Sequence, residues 1–228
     1  MVAADQWAQT VRRQLARGRL LPLGGAEDGA WITESAAVGA LRRAAHAALP
    51  AVRLEAVRIA LVKATSPPAV PPPPSALPPG PLRIEADVAT TADLPFPETA
   101  ARLRAVLRHT AEEGLGLLVE STDLRLTDLL DAGTPPRNEP DGPGTAPTPP
   151  PAGQDPLTRA ALAVPGVTHA SSRTRGDHVQ VDITVTVERR ALDTARDVRT
   201  AVGRASTQVT PSPSTVAVMV TAIDSPPV

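Results

Sequence analysis

The sequence predicts an α+β fold of two tandem small units, each a three-stranded sheet covered by two helices. A further opening strand makes the first unit up to four-stranded, and the connectors are proline-rich. Three observations carry this expectation. Two proline clusters, at 67–81 and 135–156, interrupt the chain where neither a helix nor an interior strand can form, because proline lacks the N–H donor and fixes φ. Elsewhere apolar residues recur at helical spacing in some segments and alternate with polar ones in others. Three blocks of the first half also recur, in the same order, in the second. The implied division is an N-terminal amphipathic helix in 1–24, a first unit in 25–131 with a proline-rich loop at 67–81, a linker in 132–153 and a second unit in 154–228.

Taken in order, Asp5 is placed to cap a short helix reaching Arg17, with Trp7, Val11 and Leu15 in one stripe at i, i+4, i+8. Ala30–Ile32 reads as a short extended piece. Thr33 caps a helix from Glu34 to about Ala48, buried along Val38, Leu41, Ala45 and Leu49 and ended by Pro50. Val52–Val62 reads as a strand with Val57, Ile59 and Leu61 on one face. Beyond the proline loop, Leu82–Thr90 alternates, with Leu82, Ile84, Ala86 and Val88 inward and Arg83, Glu85 and Asp87 outward. A helix from Glu98 to about Glu113 presents Ala100, Leu103, Val106, Leu107 and Thr110, and Gly114 and Gly116 close it. Thr122–Leu129 follows as a strand with Leu124 and Leu126 facing one way.

In the second half, a helix over Asp155–Ala163 ends at Pro165-Gly166 and a strand covers Val167–Thr174. Arg175-Gly176-Asp177 supplies a hairpin turn. The strand His178–Glu188 alternates strictly through Val179, Val181, Ile183, Val185 and Val187. A helix over Leu192–Thr207 presents Ala195, Val198, Ala201, Val202 and Ala205, and Thr215–Ile223 closes the unit. The repeat aligns Leu41–Val52 with Leu157–Val167 after one gap, Glu98–Leu107 with Asp193–Val202, and Leu124–Leu129 with Val218–Ile223.

Composition narrows the function classes. The aromatic residues are Trp7, Trp31 and Phe96, so the cores must be built of Ala, Val, Leu and Ile. Lys63 is the only lysine; with abundant Ala and Pro this reads as high-GC bacterial codon bias. A net charge of −1 supplies no general field for nucleic acid or anionic membrane. With no cysteine, disulfides and thiolate chemistry are excluded. No run approaches the roughly 20 apolar residues of a membrane span, and Met1 to Leu23 lacks the apolar centre of a signal peptide, so the expected location is the cytoplasm.

Candidate chemistry is sparse. His46, His109, His169 and His178 form no HxxxH pair. His109 and Glu112 have the spacing of two ligands on a helix, which is too few for a zinc site, and Glu112-Glu113 reads as a solvated pair at a helix end. There is no GxSxG elbow, GxGxxG or GxxxxGK[ST] loop, so no catalytic, cofactor or metal residues are assigned and no small-molecule substrate is expected. Arg175-Gly176-Asp177 reads as a turn and Pro71–Pro74 as spacer. The N-terminal helix stands out: Arg12, Arg13, Arg17 and Arg19 against Asp5 give residues 1–24 a charge of about +3. Trp7, Val11, Arg12, Arg13, Leu15 and Arg17 are therefore the candidate contacts, to a partner protein or to a membrane surface.

Gly29-Ala-Trp-Ile-Thr-Glu with Leu49-Pro-Ala-Val, and Val164-Pro-Gly-Val with Val181-Asp-Ile-Thr-Val, resemble the alkaline-shock, envelope-stress-response family of Gram-positive bacteria, as a tandem member of actinobacterial type. The resemblance implies a small α+β domain without cofactor or known chemistry. It also implies a place at the inner face of the membrane through a separate anchor protein. The expected function is a non-enzymatic scaffold or adaptor at that face, acting through self-association and an anchor protein. The alternative is a nucleic-acid-binding protein with KH-like modules, against which stand the charge, the absence of stacking aromatics and the absence of a basic GxxG loop.

Overall fold

Helices and strands form where the local signals place them, whereas the pairing of the strands joins the two halves of the chain. The computed structural model describes residues 18–91, 95–130, 155–209 and 215–224. In order these form β1 (Leu20–Leu23), β2 (Ala30–Thr33), α1 (Glu34–Ala48), β3 (Val52–Leu61), β4 (Leu82–Thr91) and α2 (Phe96–His109). A π-helical turn (Thr110–Leu115) extends α2, and β5 (Val119–Leu130), α3 (Pro156–Leu162), β6 (Val167–Arg175), β7 (His178–Thr186), α4 (Ala191–Val209) and β8 (Thr215–Asp224) follow. The fold is α+β, with one five-stranded sheet ordered β1-β2-β8-β7-β6 and one three-stranded sheet ordered β3-β4-β5, both packed against helices.

The two halves share one pattern of pairing. β3 is antiparallel to β4 and β4 is parallel to β5; β6 is antiparallel to β7 and β7 is parallel to β8. The agreement reaches single residues. Leu124 and Leu126 lie opposite Ala86 and Val88, as Val218 and Val220 lie opposite Val181 and Ile183. Immediately afterwards both ladders slip by one residue, at Thr127 and at Thr221. Each of these threonines turns its hydroxyl back to the neighbouring strand, donating to the Val88 carbonyl at 3.2 Å and to the Ile183 carbonyl at 3.1 Å. A bulge with its own side-chain bond at the same place in both halves gives the alignment of Leu124–Leu129 with Val218–Ile223 a physical basis.

The opening strand departs from expectation. Instead of adding a fourth strand to the first sheet, β2 lies parallel to β8 and completes the sheet of the second half, with Ala30, Trp31 and Ile32 beside Val218, Met219 and Val220. The reason is burial on both faces. All four residues of β2 are buried, and β8 is buried from Val216 through Val220 on both faces, whereas β5 carries the exposed Asp123 and Arg125 on its outer face. β1, which the sequence pattern does not mark, pairs antiparallel with β2 at the edge of the sheet. Its Pro22 is tolerated there because an edge strand needs N–H donors on one side only.

The loop at 67–81 is not a spacer. It crosses the back of the five-stranded sheet, where Val70 joins Leu20, Trp31, Ala217 and Met219 in a second core. Leu20 donates its N–H to the Ser75 carbonyl at 3.2 Å, Leu77 donates to Leu20 at 2.8 Å, and Trp31 Nε1 reaches the Leu77 carbonyl at 3.3 Å. Trp31 is left 1% exposed. The main core is continuous through both halves, from Leu21 and Ile32 through Leu41, Ile84, Leu103 and Leu107 to Val181, Val198 and Val218.

Smaller departures have local causes. Thr33 caps α1 as its position implies, accepting from the Ala36 N–H at 3.3 Å. Val187, expected inward, is 53% exposed because β7 ends at Thr186. The second helix stops its α-geometry at His109 and widens into the π-helical turn, which Gly116 closes with φ 90.

Candidate interaction edge

The residues singled out from the sequence fall in three places. Trp7, Val11, Arg12, Arg13, Leu15 and Arg17 lie outside the described residues. Arg19, grouped with them by charge, sits at the edge of β3 with Nη2 donating to the Ile59 carbonyl at 2.6 Å. The histidines stand apart: His46 is in the last turn of α1, His109 is exposed at the end of α2, and His169 is on β6. His178 opens β7, with Nδ1 2.8 Å from Thr215 Oγ1, and burial pushes its pKa below the ordinary value. Glu112, the expected companion of His109, instead accepts from Arg108 Nε at 3.1 Å, one turn back. No group of three or more His, Asp or Glu side chains gathers among the described residues.

A cleft of about 430 Å³ opens where the halves meet, between α1, the π-helical turn and the segment after β7. Arg43, His109, Glu113 and Arg189 are on its wall. Both guanidinium groups are engaged in the fold: Arg43 donates to the Ile223 carbonyl at 3.3 Å, and Arg189 donates to the Pro165 carbonyl at 2.8 Å and to Asp197 at 2.9 Å. The cleft is a seam crossed by the Arg43–Ile223 bond and by Arg190, whose Nε donates to the Glu112 carbonyl at 3.0 Å.

The sheet edges are treated unequally. The outer edge of β3 is stoppered by side chains. Ile59 donates its N–H to Glu34 Oε1 at 3.2 Å while its carbonyl takes Arg19, and the Glu55 carbonyl takes Arg42 Nη2 at 2.7 Å. Such plugs block the main-chain groups that would recruit another strand. The outer edge of β8 is filled by β2, with the Val218 N–H donating to the Gly29 carbonyl at 3.0 Å. Its counterpart in the other sheet, β5, has no strand on that side among the described residues. Arg104 Nε reaches the Thr122 carbonyl there at 3.3 Å.

β5 is apolar toward the core side and charged on the other. Leu124 is partly buried against the core, and Leu126 and Leu129 are 38% and 60% exposed. On the charged face Arg83 pairs with Asp123 at 3.7 Å. Glu55 accepts from Arg53 at 2.7 Å and from the Thr127 hydroxyl at 2.9 Å, whose single proton it shares with the Val88 carbonyl, and these hydrogen bonds hold its carboxyl below the usual range. Sequence reasoning assigned no function to this strand, although one signal was legible. In the aligned blocks Arg125 stands where the other half has Met219, and Met219 is buried under the proline loop.

No protein-family model matches the chain, and no curated protein matches it.

Proposed function

We propose that this chain is a non-enzymatic scaffold or adaptor that works at the cytoplasmic face of the bacterial envelope, through self-association and through binding to a membrane anchor protein. The observation that carries the proposal is the inequality of the two equivalent edges: β8 holds an added strand in β2, and β5 offers the same main-chain groups with no strand upon them among the described residues. Main-chain pairing at an open edge supplies affinity, and the alternating side chains supply selectivity. The likeness of Gly29–Glu34 and Val164–Val167 to the alkaline-shock family supports the placement at the envelope. No described helix is long and apolar enough to cross a membrane, so the membrane contact falls to the separate anchor.

The test is fractionation of the tagged chain from its own organism, with mass spectrometry of what is crosslinked to it in the membrane pellet. Recovery with one small membrane protein, abolished when that protein's gene is deleted, is the expected result. A chain found wholly in the soluble fraction, with no membrane partner, overturns the adaptor role.

A further inference from the structure

The geometry points to a second copy of this chain as the occupant of the β5 edge, the two β5 strands pairing antiparallel about a two-fold axis at Leu124. This rests on the self-association in the reading above and names its surface.

Three observations converge on Leu124. First, the repeat marks the residues that receive a strand. In β8 they are Val218, Met219 and Val220, and their counterparts are Leu124, Arg125 and Leu126. Second, the main-chain groups point the right way. The Val218 N–H is directed outward to Gly29, so its counterpart, the Leu124 N–H, is directed outward too. The Thr122 carbonyl, two residues earlier, also faces outward, toward Arg104. Since alternate residues of a strand share a direction, Thr122, Leu124 and Leu126 offer their donors and acceptors to the edge. Two antiparallel copies then bond Leu124 to Leu124 at the axis, and Thr122 to Leu126 on either side, the incoming Leu126 N–H displacing the exposed Arg104, whose Nε reaches the Thr122 carbonyl at 3.3 Å, a longer bond than the 2.6 and 2.7 Å arginine plugs on β3.

Third, the charges are self-complementary about that same residue. With Leu124 on the axis, Asp123 of one copy lies opposite Arg125 of the second, and Arg125 lies opposite Asp123. These are the non-hydrogen-bonded positions, where facing Cα atoms come within about 4.5 Å and side chains interact most closely. Asp123 is 64% exposed and held only by a 3.7 Å surface pair to Arg83, and Arg125 is exposed, so both can turn toward the partner strand. On the other face Leu124 and the 38% exposed Leu126 are covered. The bulge at Thr127 ends the regular ladder before Glu120 would meet Asp128 of the second copy, an unfavourable acidic pair. A parallel neighbour such as β2 on β8 gives no such exchange of charges. For this reason the second copy is favoured over a strand from another protein.

The test uses the full chain in sedimentation equilibrium over a dilution series. The wild type is expected to dimerise. D123R makes the edge doubly cationic and R125D makes it doubly anionic, so each alone should weaken self-association about tenfold or more. An equimolar mixture of the two variants should recover the wild-type affinity as a heterodimer. A wild type that is monomeric throughout overturns the inference. So does a variant pair that dimerises as tightly as the wild type, or a mixture no tighter than its components. A monomer that still captures a membrane anchor overturns the edge pairing and spares the adaptor role; a dimer without a membrane partner does the reverse.

Discussion

Asp28 and Arg196 are 168 residues apart in the chain and share two hydrogen bonds, Nε to Oδ1 at 2.7 Å and Nη2 to Oδ2 at 3.2 Å. Asp28 is in the turn between β1 and β2, where its Oδ2 also accepts from the Gly25 N–H at 2.8 Å, and Arg196 is on α4. The pair raises the pKa of Arg196 through the bonds to Asp28. It pins the opening hairpin to the second half, and the neighbouring Arg199 donates to the Glu27 carbonyl.

Removing this clasp should loosen the hairpin. Asp28→Ala loses both the ion pair and the turn bond and is expected to lower unfolding stability by about 2 kcal/mol, and Arg196→Ala by about 1 kcal/mol, since the arginine is half exposed. Urea denaturation of the two single variants and the double variant should give a coupling of about 0.5–1 kcal/mol. Strict additivity would show that the pair does not act as a clasp.

Gly116 closes the π-helical turn against α4. Its φ is 90, and a Cβ built there would stand 2.4 Å from Leu192 Cβ. Gly116→Ala should therefore cost about 3 kcal/mol or more, combining backbone strain with overpacking at the seam. Gly176, at φ 61 in the Arg175–Asp177 turn, has open space around it. Gly176→Ala should cost about 1–2 kcal/mol from the backbone alone. Equal losses in thermal or chemical unfolding would contradict the close packing of Leu192 on Gly116.

Trp31 reports on the proline loop. In a Trp7→Phe background it is the one tryptophan left, and it is 1% exposed beneath Val70 and the Leu77 carbonyl. Replacing residues 63–80 by a two-residue turn, of the kind β6 and β7 use, should uncover it. Its emission should move to longer wavelength and become accessible to acrylamide. Trp31→Ala should cost about 3–5 kcal/mol. An unshifted emission after loop removal would mean that another segment covers the indole.

Acid should weaken the second half in two steps with different causes. Burial pushes His178 below its ordinary value of 6.5; nearby Asp177 opposes this and Arg175 reinforces it. The unfolded chain therefore takes up that proton first, so stability is full above 6.5 and falls as the pH drops toward the folded value. At Asp155 burial pushes the pKa upward, but hydrogen bonds from Ser172, the Thr158 and Leu157 N–H groups and the Thr158 hydroxyl outweigh it, and the net direction is down from 3.8. Its contribution is present above 3.8 and is lost as the pH falls through the folded value. His178→Gln should flatten the first decline and Asp155→Asn the second, in midpoints measured across pH. A midpoint rising between neutral pH and pH 5 in the wild type, but not in the His178 variant, would reverse the assignment.

The sequence was legible where structure depends on near neighbours. Helical spacing located α1 and α4, alternation located β4 and β7, and Thr33 marked a helix start by the oxygen it offers to a free N–H, whereas Asp155, read as the first helical residue, is the N-cap of α3. What it hid depends on distant partners. β1 and β2 are four residues each, too short for any period to speak, and their place is set by what β8 offers. The loop over Trp31 carries two aliphatic anchors, Val70 and Leu77, seven residues apart among prolines, so its pattern is that of a spacer. That β5 has no strand on its outer side among the described residues follows from β2 being used elsewhere, a relation among three strands that no local signal contains.

The placement of β2 sets the order in which the protein can be made. The Thr33 hydroxyl reaches the Thr221 carbonyl across 188 residues, so an early strand waits for a late one. While a ribosome is still translating the second half, β1 and β2 have apolar residues and no β8 to receive them. Contacts of such long sequence separation slow folding, because a large loop must close before they form. The nascent first half is thus the stage most exposed to misassociation, and a chaperone or a pause in translation would matter most before β8 emerges.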